Sequence, residues 1–108
     1  MRKILAFRDY YVKFMKGIPE RDQQKIRRSL LLMETVDRIP YHYIKYLRDG
    51  IYEFRVTSYG NEYRIFFIYD GDKIVILLNA YIKKSQKTLK REIDMAIKLK
   101  YEYYGTKE

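Results

Sequence analysis

Five side chains stand at spacings that a pleated sheet could collect. Glu53 and Arg55 are two apart, Arg64 follows nine residues later, and Tyr81 and Lys83 are again two apart. Residues i and i+2 of a strand share a face, so each pair points one way. Arginine carries a permanent charge on a planar fork that grips an oxyanion with two N–H groups at once. A neighbouring glutamate either orients such a fork or takes a proton. Asn79 precedes Tyr81 by two and extends the same series. After Lys83 the segment Lys84–Ser85–Gln86–Lys87–Thr88 is short, polar and basic, and it leads into helix-forming residues. Backbone amides at a helix start favour phosphate oxygens. From position 83 to 100 there are seven basic residues, Lys90 and Arg91 among them, against Glu92 and Asp94. The chemistry on offer is recognition of an anion, although a loop kept in solution by its lysines has the same composition.

Other chemistries lack their residues. There is no cysteine, which removes disulfides, thiolate metal sites and cysteine nucleophiles. His42 is the single histidine, in the run Pro40–Tyr41–His42–Tyr43. A lone imidazole could do acid–base work, but a partly exposed loop residue is the commoner reading of such a position. Asp70 and Asp72 flank Gly71 and read as turn residues rather than metal ligands. No cofactor and no metal are expected. The 13 tyrosines could stack on nucleobases, yet most fall at positions expected in the core or at its rim.

These side chains need elements to hold them. Residues 3–7 read as a short strand, and Asp9 to Lys16 as a short helix stopped by Gly17. Pro19, with Glu20 and Asp22 close behind, opens a second helix. Ile26, Leu30 and Met33 carry its apolar spacing to about Val36. Tyr41 to Arg48 reads as irregular or a turn of helix, and Asp49–Gly50 as a turn. Three strands follow, Ile51 to Ser58, Glu62 to Tyr69 and Lys73 to Ile82. Tyr59–Gly60–Asn61 and Asp70–Gly71–Asp72 separate them as hairpin turns. A last helix is expected from about Thr88, a plausible N-cap, to Tyr103. The order β-α-α-β-β-β-α predicts an α+β fold, an antiparallel meander with the helices packed on one face.

Alternation then sorts the sheet. Tyr52, Phe54 and Val56 share one face of the first meander strand, and Ile51, Glu53 and Arg55 the other. In the third strand Ile74, Ile76, Leu78, Ala80 and Ile82 make a continuous apolar face. One side of the sheet can therefore be apolar and lie under the helices. The other would carry Glu53, Arg55, Arg64, Asn79, Tyr81 and Lys83. Two readings fit that second side, a solvated face or an anion site.

Composition sets the frame. One domain spanning 1–108 is expected. Basic residues number 23 against 14 acidic ones, a formal charge of +9. Such an excess favours polyanionic partners. No apolar run approaches the ~20 residues that span a bilayer, and the apolar stretch after Met1 is short and broken by Asp9. A soluble, cytoplasmic protein without a membrane partner is expected.

Read together, these segments resemble a known family. Leu47–Arg48–Asp49–Gly50–Ile51–Tyr52–Glu53–Phe54–Arg55 resembles the turn-and-strand pattern with which RelE/HigB-like toxins of the phage-derived branch begin their sheet. Tyr63–Arg64–Ile65–Phe66–Phe67–Ile68–Tyr69 is similar to that family's Tyr-Arg strand. Ile74 to Ala80, with Tyr81–Ile82–Lys83–Lys84–Ser85–Gln86–Lys87–Thr88 after it, resembles the family's strand and Lys-Thr signature. The likeness runs from Arg48 to Tyr103. It departs where the family has proline after Lys-Thr and this chain has Leu89, which alters the helix start and leaves the chemistry alone.

The resemblance implies a RelE-like fold and the toxin of a type II toxin–antitoxin system. It implies a metal-independent endoribonuclease that cuts mRNA, typically on the ribosome, and is neutralised by a cognate helix-turn-helix antitoxin. In such cleavage the 2′-hydroxyl attacks the adjacent phosphorus and the 5′-oxygen leaves. The protein must take a proton, stabilise an oxyanion and return a proton. Arg55 and Arg64 suit the oxyanion. Lys84 and Lys87 join them as candidate catalytic groups, with Glu53 as a base or as the group that orients an arginine. Lys83, Tyr81, Asn79 and Lys90 are the candidates for holding substrate. The alternative is a non-catalytic ParE-like toxin that inhibits a protein such as DNA gyrase. A plain nucleic-acid-binding module is a third class.

Overall fold

Helix formation begins where the sequence places proline and acid together. In the computed structural model, which describes residues 1–85 and 89–106, Pro19 caps helix α2 (Glu20–Thr35) in extended conformation. Its carbonyl accepts from the amides of Asp22 and Gln23, both at 3.0 Å. Ile26, Leu30 and Met33 fall on one stripe and are buried. Each such side chain contributes on the order of 1.5–3 kcal/mol when fully withdrawn from water. A shorter helix, α1 (Tyr10–Lys16), precedes it and buries Met15.

Five strands form one sheet: β1 (Lys3–Ala6), β2 (Ile44–Arg48), β3 (Ile51–Ser58), β4 (Asn61–Asp70) and β5 (Ile74–Lys83). Their order across the sheet is β1-β5-β4-β3-β2. Helix α3 (Lys90–Thr106) closes the described chain. Two hairpins are tight. Asp49–Gly50 and Tyr59–Gly60 have positive φ at both central residues, 52° and 77° in the first and 48° and 82° in the second. That backbone matches the twist of the strands it joins and favours glycine at its second position. Among the described residues no helix is long and apolar enough to cross a membrane.

The α+β class and the three meander strands agree with the sequence reading. Four details differ. Tyr41–Tyr43 is a single 3-10 turn, and Ile44–Arg48 is a strand rather than irregular chain. An edge strand draws its order from backbone pairing with β3, and its own alternation is weak because the register slips between Tyr46 and Arg48. The sheet is mixed, since β1 runs parallel to β5 with Lys3 opposite Ile74 and Ala6 opposite Leu77.

Third, the helices do not gather on one face. Met15, Ile18, Ile26, Leu30 and Met33 pack with Phe54, Val56, Tyr63, Ile65 and Phe67 on one side. Ala96 and Leu99 of α3 pack with Ile51, Phe66, Ile68, Ile76 and Leu78 on the other. Because β4 is buried on both faces, it reads as a nearly unbroken apolar run.

Fourth, the continuous apolar face expected for β5 is split. Ile65 pairs with Ala80 but Phe67 pairs with Leu77, so β5 carries one extra residue against β4. Ile76 and Leu78 face α3, while Ala80 and Ile82 pack against the α2 cluster. Strict alternation from Ile74 to Ile82 is broken by this bulge at Leu78–Asn79.

Helix α3 is strapped across the sheet by polar contacts along its length. Asp94 accepts from Arg48 Nη2 at 3.3 Å. Lys100 Nζ donates to the carbonyl of Asp49 at 2.5 Å. Tyr103 donates to Asp70 at 2.6 Å and Tyr104 to the carbonyl of Tyr69 at 3.0 Å. Its far end therefore tracks the turns of the meander, and its first turn lies near the basic end of β5.

Candidate functional site

The register brings the charged residues of three strands into one row. Arg55 lies directly opposite Arg64, and Arg64 directly opposite Tyr81. One pair further on, Thr57 faces Glu62 and Glu62 faces Lys83. Two arginines in direct cross-strand register repel each other. Carboxylates offset that cost. Glu53 Oε1 accepts from Arg55 Nε at 3.2 Å and lies 3.5 Å from Arg64 Nε. Glu62 Oε1 accepts from Arg64 Nη2 at 2.8 Å. Arg64 Nη1 donates to the carbonyl of Tyr63 at 3.2 Å.

The two arginines differ in exposure, and that divides their roles. The side chain of Arg64 is 6% exposed and that of Glu53 1%, whereas Arg55 is 31% exposed. Among the described residues only the Nε of Arg55 is engaged with protein. Its two terminal nitrogens are left to meet solvent or a ligand. Arg64 is instead a wedge, hydrogen-bonded through both terminal nitrogens, with its Nε beside Glu53, and buried behind Arg55.

A cleft of about 350 Å³ opens in front of this pair. It exists because β2 runs out before β3 does. The last pairing of β2 is Ile44 with Phe54, so among the described residues the edge of β3 from Arg55 onward has no strand beside it. The 3-10 turn and α2 wall the gap instead. Arg55, Thr57, Glu62 and Arg64 line it from the sheet, His42 and Tyr43 from the turn, and Lys25 from α2. Three cations and one carboxylate therefore face one space, which suits a phosphate or another small oxyanion.

A stack of rings fixes the turn at the cleft mouth. Tyr43 stacks on Phe54 of the core at 5.7 Å and 13°. His42 lies tilted on Tyr43 at 4.4 Å and 34°. Tyr41, 91% exposed, stands edge-on to His42 at 6.1 Å.

The remaining sequence-derived candidates are placed as follows. Tyr81 is buried and stacked on Phe66 at 5.6 Å and 20°. Lys83 is half-buried on the arginine face, opposite Glu62, and Lys84 is exposed just beyond the strand. Asn79 lies in the bulge, on the α3 side of the sheet with Tyr81. Its amide donates to the carbonyl of Glu92 at 3.0 Å, so it anchors α3. Lys90 pairs with Asp94 one helical turn on, at 2.7 Å, on the outer surface of α3. Lys87 and Thr88 lie outside the described residues.

Three lining residues escaped the sequence reading. Glu62 was legible in principle, because it stands two before Arg64 on the same strand and must share its face. Lys25 is one basic residue among several on α2 and only the tertiary fold singles it out. The sequence reads His42 as a partly exposed loop residue, and the fold puts it in the wall of the cleft.

A second buried carboxylate does a structural job nearby. Asp22 of α2 accepts from Ser58 Oγ at 2.5 Å and from the hydroxyl of Tyr63. These hydrogen bonds, first from Ser58 and then from Tyr63, hold its carboxyl below the ordinary 3.8. They tie the start of α2 to the ends of β3 and β4, which keeps Lys25 over the cleft.

No relative among curated proteins matches the chain. A family model, described as "Phage derived protein Gp49-like (DUF891)", matches residues 13–100. That stretch takes in well over half of the chain, including both arginines, the cleft and most of α3, and the protein belongs to the phage-derived Gp49-like family, a RelE-like toxin family.

Proposed function

We propose that this protein is the toxin of a type II toxin–antitoxin pair and that it cleaves messenger RNA, without a metal, while the RNA is held on the ribosome. The observation that carries the reading is the pair Arg55–Arg64, locked by Glu53 and facing a cleft of phosphodiester size. Charge placed in advance where an oxyanion develops is the largest lever such a site has. Arg55 meets the phosphate with its terminal nitrogens and Arg64 supports it from behind. Glu53, buried and shared between the two, is a positioning residue rather than a base. Lys83 and Lys84, with Lys87 after them, guide the RNA backbone toward the cleft, and Tyr81 supports the face on which it lies. The net charge of +9 suits an RNA-rich partner such as the ribosome. A cognate helix-turn-helix antitoxin holds the toxin inactive.

The test is induction of the protein alone, with RNA 5′ ends mapped in the presence and absence of ribosomes. Growth arrest with new 5′ ends that need ribosomes is expected. Arg55→Ala and Arg64→Ala, each verified as folded, should relieve the arrest. Arrest with intact RNA and impaired supercoiling by DNA gyrase would favour the ParE-like alternative instead.

A further inference from the structure

We infer that His42 is the proton-transferring residue of this cleft. The inference rests on the ribonuclease reading above and adds the group which that reading lacks. Cleavage through a 2′-hydroxyl needs a proton acceptor beside the phosphate. Arginine cannot serve, since it stays protonated. Glu53 cannot reach, since its side chain is 1% exposed and occupied by two arginines. Two acceptors line the cleft, His42 and Glu62. Glu62 is bound to Arg64 at 2.8 Å and serves to neutralise it. The other charged groups facing the imidazole are Lys25 from α2, Arg55 from β3 and Arg64 from β4. All three are cations, suited to the phosphate oxygens rather than to the proton.

His42 is also held like a working residue. Its ring rests on Tyr43, and Tyr43 rests on the buried Phe54. Among the described residues the imidazole donates to no carboxylate, so the stack orients it and its nitrogens are left for substrate. In the step an imidazole nitrogen takes the proton of the 2′-hydroxyl as the O2′–P bond forms. The P–O5′ bond breaks, and the departing O5′ takes a proton from water. His42 then gives its proton back to solvent. The products are a 2′,3′-cyclic phosphate and a free 5′-hydroxyl, with no co-reactant consumed.

The experiment is single-turnover cleavage of mRNA on programmed ribosomes, across pH 5 to 9, by wild type and by His42→Gln, His42→Ala, His42→Phe and Glu62→Gln. General acid–base groups contribute about 10²–10⁴-fold. His42→Gln should therefore lower the maximal rate by about 10²-fold, with half-saturation changed little, and should flatten the pH–rate profile, whose shape Glu62→Gln should leave unchanged. Added imidazole should restore part of the activity of His42→Ala. Full activity in His42→Phe would mean that the ring only stacks on RNA, and a pH–rate profile flattened by Glu62→Gln alone would give the role to the carboxylate. Either result overturns the inference while the nuclease reading stands, provided that Arg55→Ala is inactive. Wild type that leaves RNA uncut overturns both.

Discussion

Arg64 and Glu53 meet with their charged groups 3.5 Å apart in a place where neither side chain sees water. Burying both ions is costly, and the pair is tolerable because Arg55, Glu62 and the Tyr63 carbonyl complete the set. Deleting one member of a buried pair strands the other and costs about 3–5 kcal/mol. Glu53→Gln should therefore shift the urea midpoint strongly downward. Arg55→Ala, at the exposed end of the same network, should cost under about 1 kcal/mol while abolishing cleavage. Equal destabilisation by the two variants would contradict the division between wedge and working arginine.

Acid should loosen the clamp between α2 and the meander. The Asp22 carboxyl is held below 3.8 by Ser58 and Tyr63, so the folded protein favours its ionised form. A depressed folded value adds stability above the unfolded one, and that stability is lost as pH falls through the folded value. Melting temperature should accordingly drop as pH falls below about 4, and Asp22→Asn should flatten this limb while lowering the melting temperature at pH 7. Parallel acid limbs in the two proteins would remove Asp22 from the account.

Alkali should loosen the other end. The hydrogen bond from Tyr103 to Asp70, first among the causes, pushes the phenol up to about 12 from 10.0. A raised folded value gives stability that is complete below pH 10 and is lost as pH rises toward 12. Burial also raises the phenols of Tyr11, Tyr63 and Tyr69, so phenolate absorbance should show a late-titrating group of tyrosines, from which Tyr103→Phe should remove one together with part of the alkaline slope in stability.

The bulge makes its own prediction. Asn79 donates to the Glu92 carbonyl at 3.0 Å and so fixes the first turns of α3. Asn79→Ala should cost about 1 kcal/mol, read as a lower urea midpoint at unchanged slope. Hydrogen exchange should quicken in the first turns of α3 and not in β3 or β4. Uniform loss of protection would mean that the anchor is global.

Much of this was readable from the chain, for a physical reason in each case. Strands β3 and β4 announce themselves because tight glycine turns bound them and because the charges in their apolar runs, Glu53, Arg55 and Arg64, keep the phase of one face. Helix α2 carries its own start signal and stripe. What stayed hidden depends on distant chain. Strand β2 is ordered by its partner, so its own alternation says little. The placement of α3 on the face opposite α2 is a tertiary outcome that no local period encodes. Asn79 shares the side of Tyr81, but the phase breaks just before it, so Leu78 faces α3 as well and the apolar run of β5 changes face, a slip that the spacing alone does not show. Lys25 and His42 reach the cleft from elements far apart in sequence, and only the early end of β2 makes room for them.

That extra residue in β5 also determines where the gene can tolerate a change of length. Removing Asn79 from the bulge would leave Leu77 opposite Phe67 and Ala80 opposite Ile65, so the pairing would become regular and both faces would keep their side chains. Removing Tyr81 instead, past the bulge, would turn the strand end over, bringing Ile82 beside the arginines and driving Lys83 under α2 among Ile26 and Met33. A single in-frame codon deletion at the bulge would thus lose the Asn79 contact with α3 and spare both faces, whereas the same deletion at Tyr81 would exchange core for cleft.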